Sequence, residues 1–368
     1  MLIFRYLARE ILLTLVVIVA VLLLVLISAQ FLHYLQYVAD GKITVMVLLE
    51  LMGLEVPLLL GYLLPLSFYL SVIIAIGRMC MDNEIVVLSA CGISHARLLM
   101  MITVLATFVM LLTAWLMFSV EPKVQWYRLK LLNWAQVSYS LSKITPGTFQ
   151  QISNLEIYAS LRDSHRNQLK NIFLAERLPV TSDYPRGAWR IIRAAEASQY
   201  QDPKTFDLYV VLHQGVQYEG YPTQKNYQVM QFKTYGVRLP TEVASISKKD
   251  QIKYMSTPAL WRERHHPAQA AELQWRIAMP LSVLILGLLA LPISYVNPRQ
   301  GKFGRLFPAI MIYLIYVNMI FVCRGWIDGS VISTAFGMWW LHLLLLSIAI
   351  LYTAAYVGWK RFFTFGTA

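Results

Sequence analysis

Little in this chain is arranged to make or break bonds. No G-x-x-x-x-G-K-[S/T] loop is present to cradle nucleotide phosphates, so the chain is no ATP-driven motor by itself. The patterns H-E-x-x-H and G-x-S-x-G are missing too, as are paired intramembrane carboxylates. His265 and His266 are adjacent, and neighbouring residues are poorly placed to share one metal. Catalysis, metals and cofactors are therefore set aside. What remains is non-covalent chemistry, and it is concentrated in Asp82–Ala96, DNEIVVLSACGISHA. Asp82 or Asn83 can cap a helix, which puts Glu84 in the first turn near the positive end of its dipole. Gly92 can stop that helix and Ser94 can start the next. Between them, Ile85 to Leu88, Ala90 and Cys91 leave almost no polar face, so something must cover the helix. It packs on its own chain, or it docks into a groove on a cytosolic partner. Glu84, Val87, Leu88 and Cys91 share one face at i, i+3, i+4 and i+7.

The surrounding elements are membrane spans. Hydrophobic residues make up 57% of the 368, charged residues 14%, and the net charge is +12; mean hydropathy is +0.53. These values define an integral membrane protein. Apolar runs predict spans at Ile11–Gln30, Val56–Gly77, Leu98–Val120, Ile277–Val296, Leu306–Cys323 and Phe336–Trp359. Pro57 and Pro65 predict a kink in the second, and Glu121-Pro122 an end to the third. The order is three helices (residues 1–122, with the short helix 82–92), an insert (123–266), and three more helices (267–368).

Arg5, Arg9, Arg78, Arg97, Arg299, Lys302, Arg305, Lys360 and Arg361 collect on one side of these spans. Lys42 and Arg324 lie opposite, outweighed by Asp40, Glu50, Glu55 and Asp328. The positive-inside rule then puts both termini and the Asp82–Ala96 loop in the cytoplasm and the insert outside.

The insert reads as a β-sandwich or jelly roll. Leu155, Ile157, Ala159 and Leu161 alternate with polar residues, as do runs at Ile172–Leu178, Trp189–Ala194, Leu208–His213 and Tyr227–Phe232. Pro185–Gly187, Asp202–Pro203 and Gly220–Pro222 break the runs. Lys123–Tyr139 reads as a connecting helix. Cys80, Cys91 and Cys323 all lie outside the insert, so no disulfide framework holds it. From Lys123 to His265 it carries 20 Lys and Arg against 11 Asp and Glu. A basic domain beside an outer leaflet suits an anionic amphiphile or an acidic protein face, not nucleic acid.

Several segments in order resemble one family: FRYLARE at the start, EIVVLSACGIS, ELQWR (Glu272–Arg276), PLS (Pro280–Ser282) and LPISYVNPRQGK (Leu291–Lys302). The family is the permeases of the bacterial lipopolysaccharide export transporter, of the ABC class. The N-terminus and the N-P-R-Q-G segment resemble its F-type more than its G-type subunit. The resemblance implies an F and a G permease on a dimer of cytosolic ATPase subunits, in a Gram-negative inner membrane. Coupling runs through the short helix, here Asp82, Glu84, Val87, Leu88, Cys91 and Gly92. It also implies a single-span membrane subunit and a periplasmic bridge protein that receives lipopolysaccharide from the jelly rolls. Family members usually carry basic residues near the outer end of the first span, facing lipid phosphates. Gln30 and His33 stand there in this chain, which leaves Arg324 as the better phosphate partner. Asn297–Gly301 reads as a cytosolic turn. The alternative to a permease is a non-transporting membrane scaffold whose β domain recruits envelope partners.

Overall fold

The computed structural model describes residues 2–40, 43–142, 147–152, 155–163, 168–178, 188–201, 208–221, 227–238, 248–294 and 306–357. The chain forms two compact units, one of residues 1–35, 49–128 and 248–368, the other of residues 36–48 and 129–247. The turn expected at Asn297–Gly301 lies outside the described residues, as do the basic residues Lys42, Arg299, Lys302, Arg305, Lys360 and Arg361.

The first unit is helical. The helices ahead of the sheet are α1 (Leu2–Ala39), α2 (Val45–Met81), the short α3 (Glu84–Ala90) and α4 (His95–Trp115), followed by a π-helical turn (Leu116–Val120) and α5 (Glu121–Ser142), with residues 36–48 and 129–142 falling in the second unit. After the second unit come α6 (Lys248–Lys253), α7 (Thr257–Arg262), α8 (Pro267–Ser294), α9 (Leu306–Asp328) and α10 (Trp339–Val357). Among the described residues, five helices are long and apolar enough to cross a membrane: Leu2–Ala39, Val45–Met81, His95–Leu132, Pro267–Ser294 and Leu306–Asp328. Trp339–Ala355 is a shorter apolar helix. Thus five of the six expected spans meet that length.

The helices differ from expectation mainly at their ends. The third apolar helix does not stop at Glu121-Pro122. Pro122 lies just after the π-helical turn and has no N–H to offer the preceding turn. The π-helical turn ahead of it absorbs an extra residue. Thr257 Oγ1 donates to the Phe118 carbonyl within that turn at 3.0 Å. Phe336–Met338 form a turn ahead of α10, not its first residues. Pro57 and Pro65 both lie inside α2, which continues through them.

The core is built around α8. From Ala270 to Ser294 it is almost continuously buried, including Glu272, Arg276, Ser282 and Ser294. It packs on α4, α9 and α10. By contrast, only 11% of the most apolar stretch of α1 is buried within this chain. Its buried side chains are Leu7, Ile11, Leu15 and Tyr34, near its two ends.

The second unit contains a six-stranded antiparallel meander in the order β1 (Gln150–Ile152), β2 (Leu155–Asp163), β3 (Gln168–Arg177), β4 (Trp189–Gln201), β5 (Leu208–Gly220), β6 (Tyr227–Arg238). Each expected strand is present and extended, and β1 is an addition. Leu155, Ile157, Ala159, Ile172, Leu174, Ile192, Ala194, Val210 and Leu212 form its apolar face. The alternation slips along one transverse row. The ladders skip Ser160, Asn171, Ala195, Gln214 and Lys233 while keeping register on both sides. Asn171 and Gln214 adopt left-handed backbone, with φ of 50° and 52°. Burial therefore steps from Ala194 to Ala197 on β4, a three-residue stride.

Candidate functional site

The stretch Asp82–Ala96 folds as a tight helix–turn–helix. Asn83 occupies the N-cap position of α3 in a left-handed conformation, φ 58°, and its side chain makes no capping bond, so side-chain capping by Asn83 does not occur. Gly92 ends the element at φ +85°, a conformation that suits a residue without Cβ. Ser94 starts α4 by accepting from the Arg97 amide at 3.3 Å.

The short helix is not covered all round by its own chain. Ile85 is buried at 4% exposure, and Leu88 packs half-buried against the same core. Val86 and Val87 are 64% and 60% exposed, and Cys91 is exposed beside them. Of the four residues expected on one outward face, Val87 and Cys91 point out and Leu88 turns partly inward. Glu84 is engaged internally: Tyr6 Oη donates to its Oε2 at 2.9 Å, and Arg78 Nη1 lies 3.7 Å from its Oε1. Arg78 also pairs with Glu10 at 2.9 Å and with Asp82 at 3.3 Å. The start of α1, the end of α2 and α3 are thus joined through one guanidinium.

A second polar centre lies inside the first unit and is organised by the ELQWR segment of α8. Arg276, wholly buried, donates to Glu272 at 2.9 Å and to the carbonyls of Lys253 and Met255 at 2.7 and 2.9 Å. It also reaches Thr257 Oγ1 at 3.3 Å. One side chain therefore fixes the return of the chain into α8. Glu272 spends its other oxygen on Arg324 of α9, 2.5 Å away. Arg324 in turn lies over the Trp275 ring, 4.8 Å from its centroid. Gln274 Nε2 donates to the Thr334 carbonyl at 2.6 Å, and its Oε1 accepts from the Met338 amide at 2.9 Å. Gly337, at φ +40°, leaves room for that amide, because a Cβ would fall 1.9 Å from Gln274 Oε1 and displace it.

A cavity of about 440 Å³ opens beside this network, lined by Tyr62, Glu121, Lys253, Glu272, Arg324 and apolar residues of α8 and α9. Tyr62 Oη donates to Glu121 Oε1. Arg324 thus lines a pocket, already paired with a buried carboxylate. Gln30 and His33 sit on the C-terminal half of α1, Gln30 half-buried and His33 exposed, with the His33 and Tyr34 ring centroids 5.8 Å apart. Neither residue is among those lining the cavity that Arg324 faces. Next to His33, Tyr34 Oη donates to the buried Glu55 at 2.6 Å, and Arg128 pairs with Glu55 at 3.3 Å. In the sheet, Arg190 bridges Glu219 at 3.1 Å and Glu176 at 3.3 Å.

The sequence reading passed over Glu272, Gln274, Arg276 and Glu121 as functional groups. A signal was available: Glu272 and Arg276 are an i, i+4 pair at the start of an apolar run, and charges there need buried partners.

The long apolar helices and the antiparallel sheet define a multi-pass membrane protein with a separate β unit. The chain belongs to the family of the lipopolysaccharide export system permeases LptF/LptG, whose profile matches residues 5–355. It is 27% identical over 350 residues to the lipopolysaccharide export system permease protein LptF of Escherichia coli (strain K12), covering 95% of this chain and 94% of that one. The protein of the same name from Shigella flexneri gives the same identity and coverage.

Proposed function

We propose that this chain is the F-type permease subunit of an ABC transporter that extracts lipopolysaccharide from the inner membrane and passes it to a periplasmic bridge protein. Its partners are a paralogous G-type permease, a dimer of cytosolic ATPase subunits and a single-span membrane subunit. Six membrane helices in a three-plus-three arrangement carry both termini in the cytoplasm, and the insert of residues 123–266 carries the periplasmic jelly roll. The alternation on the described strands and the net positive charge of the insert support that assignment.

The observation that carries the reading is the uncovered apolar strip of α3. Val86 and Val87 stay exposed although Ile85 and Leu88 on the same short helix pack inward. That is the shape of an element docked on its own chain by one side and free to enter a groove by the other. A scaffold that recruits envelope partners has no use for such a strip in the cytoplasm. Glu84 reaches a basic residue of the ATPase by leaving Tyr6 and Arg78, so docking exchanges one charge-assisted contact for another.

The test is Val87→Asp, measured as ATPase co-purification, ATP hydrolysis and lipopolysaccharide release from reconstituted vesicles. Val87 is exposed, so the substitution leaves this chain folded while placing an unpaired charge in the partner's groove. Loss of ATPase association and of release is expected. A Val87→Asp chain that assembles and transports like the parent would remove α3 as the coupling element.

A further inference from the structure

The cavity beside the ELQWR segment contains a mismatch of partners. Glu272 is satisfied twice, by Arg276 and by Arg324. Glu121 is not. Its residue is 6% exposed, Tyr62 satisfies Oε1, and Oε2 is buried with no hydrogen-bond partner. A buried carboxylate oxygen without a donor is costly, and native folds leave few. Arg324 shows the opposite deficit. It donates through one terminal nitrogen to Glu272, and its side chain remains 28% exposed. Both residues line the same cavity of about 440 Å³, whose other walls include Met279, Val317 and Phe321. That volume falls within the roughly 300–1,000 Å³ typical of small-molecule sites.

We infer that this pocket holds the headgroup of an aminophospholipid from the surrounding membrane, with its primary ammonium on Glu121 Oε2 and its phosphate on Arg324. The acceptor left without a donor is best matched by a charged N–H, the partly exposed guanidinium suits a phosphate, and the apolar wall suits the glycerol and first methylenes. A quaternary amine carries no N–H and cannot satisfy Glu121. An anionic headgroup without an amine would bring no donor of the required charge. This recognition rests on the pocket's own groups and does not depend on the export reading.

The experiment uses the full chain in nanodiscs containing equal parts of phosphatidylethanolamine, phosphatidylcholine and phosphatidylglycerol. Retained lipid is quantified by native mass spectrometry for the parent and for Glu121→Gln, which keeps size and the Tyr62 contact. The parent should enrich phosphatidylethanolamine over each of the others by at least about tenfold, the low end of the worth of one charge-assisted hydrogen bond. Glu121→Gln should abolish that preference. Equal retention of the three lipids by the parent would overturn the inference without reference to any variant, and so would an unchanged preference in Glu121→Gln. A parallel titration with soluble O-phosphoethanolamine separates the sources: saturable binding of it without lipid enrichment would overturn the membrane origin. No ATPase or cargo takes part, so failure of the Val87→Asp test leaves this result standing.

Discussion

Replacing Gly337 by alanine should cost far more than one methyl group suggests, and the cost should depend on Gln274. Two terms contribute. At φ +40° an alanine meets the left-handed penalty of about 1–2 kcal/mol. Its Cβ would also fall 1.9 Å from Gln274 Oε1, so the amide must leave. That breaks the bonds to the Thr334 carbonyl and from the Met338 amide, each worth about 0.5–1.5 kcal/mol. The sum is about 2–5 kcal/mol. Gln274→Ala alone removes the same two bonds and costs about 1–3 kcal/mol. In the double variant the clash has no target, so adding Gly337→Ala to Gln274→Ala should cost only the backbone penalty of about 1–2 kcal/mol. The two changes should therefore fall short of additivity by about 1–3 kcal/mol. Denaturant unfolding in detergent, followed by tryptophan fluorescence, measures all four corners of this cycle. Additive costs would show that Gln274 does not hold the α9–α10 connection in the way its hydrogen bonds indicate.

Further predictions concern the other polar contacts. Arg324→Glu should destabilise the chain, because it sets two carboxylates together where Glu272 and Arg324 now lie 2.5 Å apart. Arg324→Lys keeps the charge beside Glu272 and should stay closer to the parent in thermal stability; if Arg324 contacts lipid phosphate, photo-crosslinking of lipopolysaccharide should fall in Arg324→Glu and persist in Arg324→Lys, and unchanged crosslinking in both would limit Arg324 to a structural role. Tyr6→Phe removes one exposed hydrogen bond to Glu84, so stability should fall by less than about 1 kcal/mol. If Glu84 must leave Tyr6 to dock, ATPase association should strengthen at the same time, and weaker association would refute that exchange. With Cys80, Cys91 and Cys323 replaced, single cysteines at Asp163 and Lys248 should react with an impermeant thiol reagent in intact spheroplasts, and one at Asn83 should not. Labelling at Asn83 without lysis would invert the topology.

How much of this was legible depended on the range of the interaction concerned. The strands beginning at Leu155 and Trp189 announced themselves by alternation, a property of neighbouring residues. The row through Asn171 and Gln214 did not, because each left-handed residue looks locally like any polar residue in a strand. Its effect, the three-residue stride from Ala194 to Ala197, is plain only when the sheet is assembled. The short helix at Glu84 was readable for the same local reason, with Gly92 and Ser94 in place as stop and cap. Its inward side was not, because Ile85 and Leu88 are chosen by packing against distant helices. Arg324 was visible as a cation near the end of an apolar run. Its partner Glu272 is 52 residues away, and Gln274 reaches Met338 across 64. Such pairs have no signature in spacing, and only the approach of α8 to the end of α9 reveals them.

The placement of contacts on α1 has a mechanical consequence. Near one end, Glu10 binds Arg78, which also joins Tyr6 to the α3 corner. Near the other, Tyr34 is fastened to Glu55 and Arg128. Between these clips run Leu13, Val16, Val17, Val21, Leu24 and Val25, all exposed within this chain. A rod clipped at both ends, and held between them by the narrow apolar face of Leu15, Ile18 and Val19, is stiffest at its clips and most compliant between them. Displacement of α3 loads the clip at Arg78. The load is then taken up toward the middle of α1, where the sequence from Leu12 to Phe31 carries no charged side chain to pair with another helix.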